Sequence, residues 1–207
     1  MRAAIYWAPE LDDPLHAAGS AWLGRDAETA ASLPQPALEG IAELTADARG
    51  YGLHATLKPP FHLAQGYPAL REAVAGFAAR QPAFDLPPLA VADLKGFLAL
   101  RETAPCPALH ALADAAVIEL DAHRAPPSEA ELERRRRARL SARHEALLAR
   151  YGYPYVLEEW RFHVTLTRRL AQDEAARVRP AAEAHFAGSA GRVRRVESLC
   201  LFTQPRP

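Results

Sequence analysis

Lysine, cysteine and methionine are nearly missing from this chain of 207 residues. Of 25 basic residues only Lys58 and Lys95 are lysines, which leaves 25 − 2 = 23 arginines. With abundant alanine and proline, this matches a GC-rich bacterial coding bias rather than a functional demand. The two cysteines, Cys106 and Cys200, are far apart and form no CxxC or metal-spaced pair, so the sequence reads as a chain with reduced thiols and no disulfide framework. Net charge is also lacking: 25 basic residues balance 25 acidic ones. No global field draws the molecule to nucleic acid or an anionic membrane, so any anion site must be local. No apolar run approaches the ~18 residues of a membrane span, and "MRAAIYWAPELDD" turns acidic before a signal-peptide core could form. The expectation is a cytoplasmic protein with no membrane partner. No HExxH or carboxylate-rich cluster is present, and neither a metal nor a cofactor is expected.

With 49% apolar residues the chain can bury a sizeable core. The segment Ala3 to Trp7 suits an opening strand, and a short helix is expected around Leu15 to Leu23, followed by a proline-broken loop, "SLPQPAL". Leu70, Val74 and Phe77 recur at helical spacing over about 68–80. Short strands follow near 83–86, 89–94 and 96–101, and then a helix over about 107–123. Ser128 and Glu131 make a capping-box pattern that opens one highly charged helix to about Arg150. Its "ERRRRAR" reads as a solvated face, because Glu129, Glu131 and Glu133 precede the arginines at i,i+4 spacing. A helix over 172–187 is expected to kink or break at Pro180, and "RVRRVESLCLFTQ" to close the chain as a strand.

Two short stretches carry chemistry. In "HATLKPP", His54, Thr56 and Lys58 share one strand parity while Leu53, Ala55 and Leu57 share the other. In "WRFHVTLTRR", Arg161, His163, Thr165 and Thr167 alternate with Phe162, Val164 and Leu166. The His-x-Thr-Leu core thus occurs twice, each time followed by an amphipathic helix and a strand region. This predicts an α+β fold of two pseudo-symmetric lobes, each a mainly antiparallel sheet with packed helices, with the motif strands facing a central groove. The expected division is one bilobal domain over 1–207: a first motif lobe at about 51–105, a second at about 107–207, the strand at 2–8 joining the core, and a charged helical insertion at 127–150. Two imidazoles facing each other could serve as general base and general acid in displacement at phosphorus, with two threonine hydroxyls on the non-bridging oxygens.

"HATL" at 54–57 and "HVTL" at 163–166 resemble the paired motifs of the two-histidine (2H) phosphoesterase superfamily. "YGLHATLKPPF", "GSAWLGRD" and "YPYVLEEWRFHVTLTRRL" are similar to a branch associated with phosphonate metabolism and carbon-phosphorus lyase genes, and the resemblance spans nearly the whole chain. It implies a metal-independent phosphodiesterase, a phosphoric diester hydrolase, acting on a small cyclic phosphate. For this branch the natural substrate is 5-phosphoribosyl 1,2-cyclic phosphate in phosphonate degradation. His54 and His163 would be catalytic, and Thr56 and Thr165 would bind phosphate.

The residues themselves add Lys58 and Arg161 as phosphate ligands, each with a competing reading as a solvent-facing lysine or a surface salt bridge. Tyr6 is a weaker candidate, more naturally a core tyrosine. His62 sits in "FHLA", where Ala64 replaces the motif threonine, and is set aside. Two alternatives stay open: an RNA or nucleoside 2',3'-cyclic phosphodiesterase, with nucleic acid contacted through the arginines at 133–139, and a nonenzymatic nucleotide- or phosphosugar-binding protein. Which histidine would act as base is left open by the near symmetry.

Overall fold

The motif strands are neighbours in one sheet. In the computed structural model, which describes residues 1–204, a six-stranded antiparallel sheet is built from β1 (Arg2–Trp7), β2 (Ala55–His62), β4 (Leu89–Asp93), β5 (Phe97–Glu102), β6 (Val164–Arg169) and β8 (Cys200–Gln204). Their order across the sheet is β4-β5-β6-β2-β1-β8. A separate two-stranded ribbon pairs β3 (Phe84–Leu86) with β7 (Arg194–Val196). The expectation of motif strands facing each other across a groove is thereby corrected: β2 and β6 lie side by side, and the sheet continues through them. The closing strand predicted over 192–204 is two strands, β7 and β8, in different sheets.

One face of the sheet is apolar because its residues alternate. Ala3, Ile5 and Trp7 of β1, Ala55 and Leu57 of β2, Leu98 and Leu100 of β5, and Val164 and Leu166 of β6 are all buried in one contiguous core. Helices close that core. They are α1 (Pro14–Leu23), with Leu15, Trp22 and Leu23; α4 (Tyr67–Ala78), with Leu70, Val74 and Phe77; α5 (Pro107–Glu119), with Leu109, Leu112 and Ala116; and α8 (Gln172–Phe186), with Val178, Ala182 and Phe186. The first three of these helices start where the sequence signals it. Asp13 caps α1 by accepting from Leu15 N at 2.8 Å, and Pro14, Pro68 and Pro107 stand in first turns where no N–H is required. Two short helices, α2 (Ile41–Leu44) and α3 (Ala46–Tyr51), fold the 24–53 segment against α1 and β6.

Three expectations change. The single charged helix is two helices, α6 (Glu129–Arg136) and α7 (Ala142–Tyr151), parted at Arg139, which adopts a left-handed φ of 50°. Both open with a side-chain cap, Ser128 on Glu131 N and Ser141 on His144 N. The i,i+4 pairs foreseen inside α6 are not the ones formed: Arg136 pairs with Glu145 of α7 at 3.1 Å, and Glu131 reaches back to Ser128 and across to His62. Finally, α8 runs through Pro180 without a break. Pro180 is exposed, and the carbonyl it frees, that of Ala176, belongs to an exposed residue that water can serve. Among the described residues no helix is long and apolar enough to cross a membrane.

Candidate functional site

Strands β2 and β6 meet at a single register pair, Ala55 opposite Val164. Extending that antiparallel register by one residue each way sets His54 beside Thr165 and Thr56 beside His163. The two histidines thus occupy opposite corners of a four-residue patch. All four side chains are half-buried, while Ala55, Leu57, Val164 and Leu166 beneath them are buried. The alternation in the sequence is realised as a polar face over an apolar core.

Both imidazoles are held in the same way. His54 Nδ1 lies 2.9 Å from the carbonyl oxygen of Gly52, and His163 Nδ1 lies 2.8 Å from that of Arg161. A carbonyl can only accept, so in each ring Nδ1 carries the hydrogen and Nε2 is left with its lone pair when the ring is neutral. The backbone two residues upstream therefore sets the tautomer of each motif histidine. Gly52 makes this possible on the first strand. Its φ of 75° lies in the left-handed region, and a Cβ there would collide with the side chain of Ala27.

Burial disfavours the charged form of both rings. His54 is pushed down to about 4, chiefly by desolvation and further by the charge of His163, with the Gly52 bond opposing. His163 is lowered as well, by burial first and by Arg101. Both rings are neutral at pH 7 and present Nε2 as acceptors, and an anion placed against them would draw protons onto them.

The flanks differ. On the His54 side Tyr6 stacks on the imidazole with centroids 3.9 Å apart, and Phe202 lies 4.9 Å from Tyr6. Tyr51 approaches His54 from the end of α3, at 6.3 Å. Tyr6 is buried, and its hydroxyl is pushed up to about 12, first by desolvation. On the His163 side Phe97 meets the ring edge-on at 6.0 Å. The β5–β6 register, Ala99 opposite Thr165 and Leu100 opposite Val164, carries Arg101 to the position beside His163. Sequence reasoning missed Arg101; its signal was the parity it shares with Ala99 and Phe97, visible only once β5 is paired with β6.

The two cations that strand parity offered, Lys58 and Arg161, leave the patch. Lys58 follows an irregularity in the β1–β2 ladder: Tyr6 pairs with Thr56, but Ile5 pairs with Lys58, so one extra residue is accommodated and the parity switches. Lys58 is 2% exposed and points at α5, donating to Val117 O at 2.8 Å and Asp121 Oδ1 at 3.2 Å. Arg161 is exposed and folds back on its own backbone, with Nη1 donating to the carbonyls of Glu158 and Trp160. Thr167 is also withdrawn: it is buried, and its Oγ1 accepts from Leu98 N at 3.0 Å. His62, set aside on sequence grounds, lies at the far end of β2 near Glu131, at 3.7 Å. Among the described residues no three His, Cys, Asp or Glu side chains converge as a metal site requires.

The patch therefore brings together two donor-accepting imidazoles, two hydroxyls and a nearby guanidinium on an α+β antiparallel framework, which are the groups that handle a phosphoryl oxygen. A family model described as "Protein of unknown function (DUF1045)" matches residues 56–207, and the chain belongs to that family. It is also similar to two proteins named ribose 1,5-bisphosphate phosphokinase PhnN. That of Janthinobacterium sp. (strain Marseille) is 44% identical over 202 residues, covering 93% of this chain and 45% of the relative. That of Laribacter hongkongensis (strain HLHK9) is 41% identical over 209 residues, covering 99% and 48%. The chain spans about half the length of these relatives. Their name agrees with the phosphonate-metabolism branch of the sequence resemblance. It overturns the expected reaction: the relatives are named as a phosphokinase, not as a cyclic phosphodiesterase, so neither the phosphoribosyl nor the nucleoside form of that hydrolase reading is kept.

Proposed function

We propose that this chain is a phosphosugar-recognition unit, with ribose 1,5-bisphosphate as its first candidate ligand, and that one phosphate of the sugar sits on His54, Thr56, His163 and Thr165. The observation that carries the reading is the matched pair of backbone-fixed imidazoles beside two threonine hydroxyls, on a chain whose relatives are named for ribose 1,5-bisphosphate. The threonines donate to phosphate oxygens, and each Nε2 shares or takes up a proton at the phosphate. Neither lysine follows a glycine in the sequence, so these residues encode no G-x-x-x-x-G-K-[ST] cradle for the phosphates of ATP. That favours sugar recognition over nucleotide binding as the part played by this chain in phosphoryl transfer. Three strands on each side of the single β2–β6 pair, and one His-x-Thr-Leu on each, support two related halves and a kinship of fold with the two-histidine superfamily; the hydrolytic chemistry of that superfamily does not come with it.

Titration calorimetry with ribose 1,5-bisphosphate tests the reading. Binding is expected for the wild type and should weaken roughly 10-fold or more in Thr56→Val and in Thr165→Val, since each removes one donor to a charged oxygen at nearly constant volume. Wild-type protein that shows no heat with the sugar, or variants that bind it unchanged, would reject this placement.

A further inference from the structure

Beside the His54 flank of the patch lies a cleft of about 160 Å³ lined by Arg2, Ala4, Tyr6, Tyr51, Phe202 and Gln204, among others. Tyr6 joins the cleft to the histidines, because it lines the one and stacks on His54 in the other. Ala4 stands between Tyr6 and Arg2 on the same face of β1, and Phe202 and Gln204 lie opposite Ala4 and Arg2 on β8. Small alanine in the middle leaves space over the strand, with an aromatic wall at one end and a guanidinium at the other.

Arg2 forms no salt bridge among the described residues, and its Nε is buried without a hydrogen-bond partner. Arg135 of α6 lies near it, over the ring of Tyr153 at 4.5 Å, and its Nε is likewise buried and unpartnered. The carboxylate close to both, Glu131, is already committed to Ser128 N at 3.1 Å and faces His62. Arg135 and Glu131 line the neighbouring pocket, which shares Pro60 with the cleft, so two guanidiniums with spare donors and one engaged carboxylate leave a local excess of positive charge where the two hollows adjoin. Burying such donors unpaired is costly, and an anion with several acceptor oxygens would relieve it.

We infer that Arg2, assisted by Arg135, forms a second anion subsite that takes the distal phosphate of a doubly phosphorylated sugar whose other phosphate lies on the two histidines. Arg2 and Tyr6 are four residues apart on β1, about 13 Å between Cα atoms at ~3.3 Å per residue. The Arg2 charge acts on the Tyr6 hydroxyl across that gap, and a pentose between the two phosphates would lie over Ala4 against Tyr6 and Phe202. The subsite makes the cleft selective for bisphosphates over monophosphates.

This inference rests on the phosphosugar reading, and one experiment separates the two. Dissociation constants of ribose 1,5-bisphosphate, ribose 1-phosphate and ribose 5-phosphate are measured by calorimetry for wild type, Arg2→Gln and Arg135→Gln. The expected result is a loss of roughly 10- to 100-fold for the bisphosphate in Arg2→Gln, a smaller loss in Arg135→Gln, and no change for the tighter-binding monophosphate in either. Equal weakening of all three sugars, or none, with wild-type binding intact would overturn the subsite and leave the histidine site standing. A wild type that binds none of the three would overturn both. Circular dichroism of the two variants, expected to match the wild type, guards against loss of fold.

Discussion

The indole Nε1 of Trp160 donates to the carbonyl oxygen of Thr56 at 2.8 Å, tying the approach to the second motif to the strand of the first. A second indole bond runs from Trp22 Nε1 of α1 to the carbonyl of Leu166 in the second motif strand, at 3.0 Å. These bonds stand where the sheet cannot supply its own. Because β2 and β6 pair only at Ala55 and Val164, the carbonyls beyond that pair would be left without ladder partners. Trp160→Phe removes the donor and keeps most of the ring. Urea denaturation is expected to show a loss of about 1 kcal/mol, the usual consequence of losing a hydrogen bond to a partly buried carbonyl, together with weaker sugar binding. A variant as stable as wild type would show that water replaces the indole.

Gly52→Ala strikes the tautomer lock rather than the ring. Its Cβ would have to displace Ala27, and the residue holds a left-handed φ, so a cost of about 1–3 kcal/mol is expected. Relief of the clash moves the carbonyl that holds His54 Nδ1. Nitrogen NMR of the imidazoles should then show the His54 tautomer signature shift while that of His163, locked by Arg161, stays in place. Unchanged shifts for both rings would show that the Gly52 bond does not set the tautomer.

Much of this was legible in the sequence, and the reasons are physical. The motif faces read correctly because strand parity is a local property: His54 and Thr56, and His163 and Thr165, alternate with residues that are buried. The starts of α1, α4, α5 and α6 read correctly because proline and capping residues act within one turn, while the start of α7 at Ser141 and the short helices α2 and α3 did not. What failed was long-range or irregular. Lys58 shared the parity of His54 on paper, and one extra residue in the ladder with β1 turned it inward. Arg101 was invisible because only the β5–β6 pairing sets it beside His163. The break at Arg139 was hidden in a run of good helix formers. The reaction itself followed from a resemblance in motif, and the names of longer relatives pointed elsewhere.

Acid should both weaken the fold and strengthen ligand binding. His54 is lowered from 6.5 to about 4 in the folded chain, so between those values the unfolded chain binds more protons. Stability present above pH 6.5 is lost as pH falls toward 4, by about 3 kcal/mol for a shift of this size. The difference between wild type and His54→Gln across that window isolates the contribution from that of the carboxylates. A phosphate beside the rings reverses the bias, raising their affinity for protons in the complex. Calorimetry at pH 7 in two buffers of unlike ionisation enthalpy is expected to show net proton uptake on binding ribose 1,5-bisphosphate. Zero uptake, or release, would mean that the imidazoles only accept hydrogen bonds from sugar hydroxyls.

Lys58→Met provides the opposite test, because the residue bears on stability and not on the ligand. Burial lowers Lys58 from 10.5 to about 8, against the opposing pull of Asp121. The charged ammonium therefore costs the folded state free energy at neutral pH, and wild-type stability should rise as pH climbs from about 8, where the unfolded chain holds the extra proton. Asp121 does not depend on it alone: Arg124 donates to both carboxylate oxygens, at 2.8 and 3.0 Å. Removing the lysine thus leaves no unpaired buried charge, and a methionine fills similar space with no desolvation cost. The variant is expected to be as stable as wild type or up to about 2 kcal/mol more stable at pH 7. It should lack the rise between pH 8 and 9.5, and it should bind ribose 1,5-bisphosphate unchanged. A loss of several kcal/mol would mean that the bond to Val117 O outweighs the burial of charge. A loss of sugar affinity in a stable Lys58→Met would return the lysine to the phosphate site from which the β1–β2 register removes it.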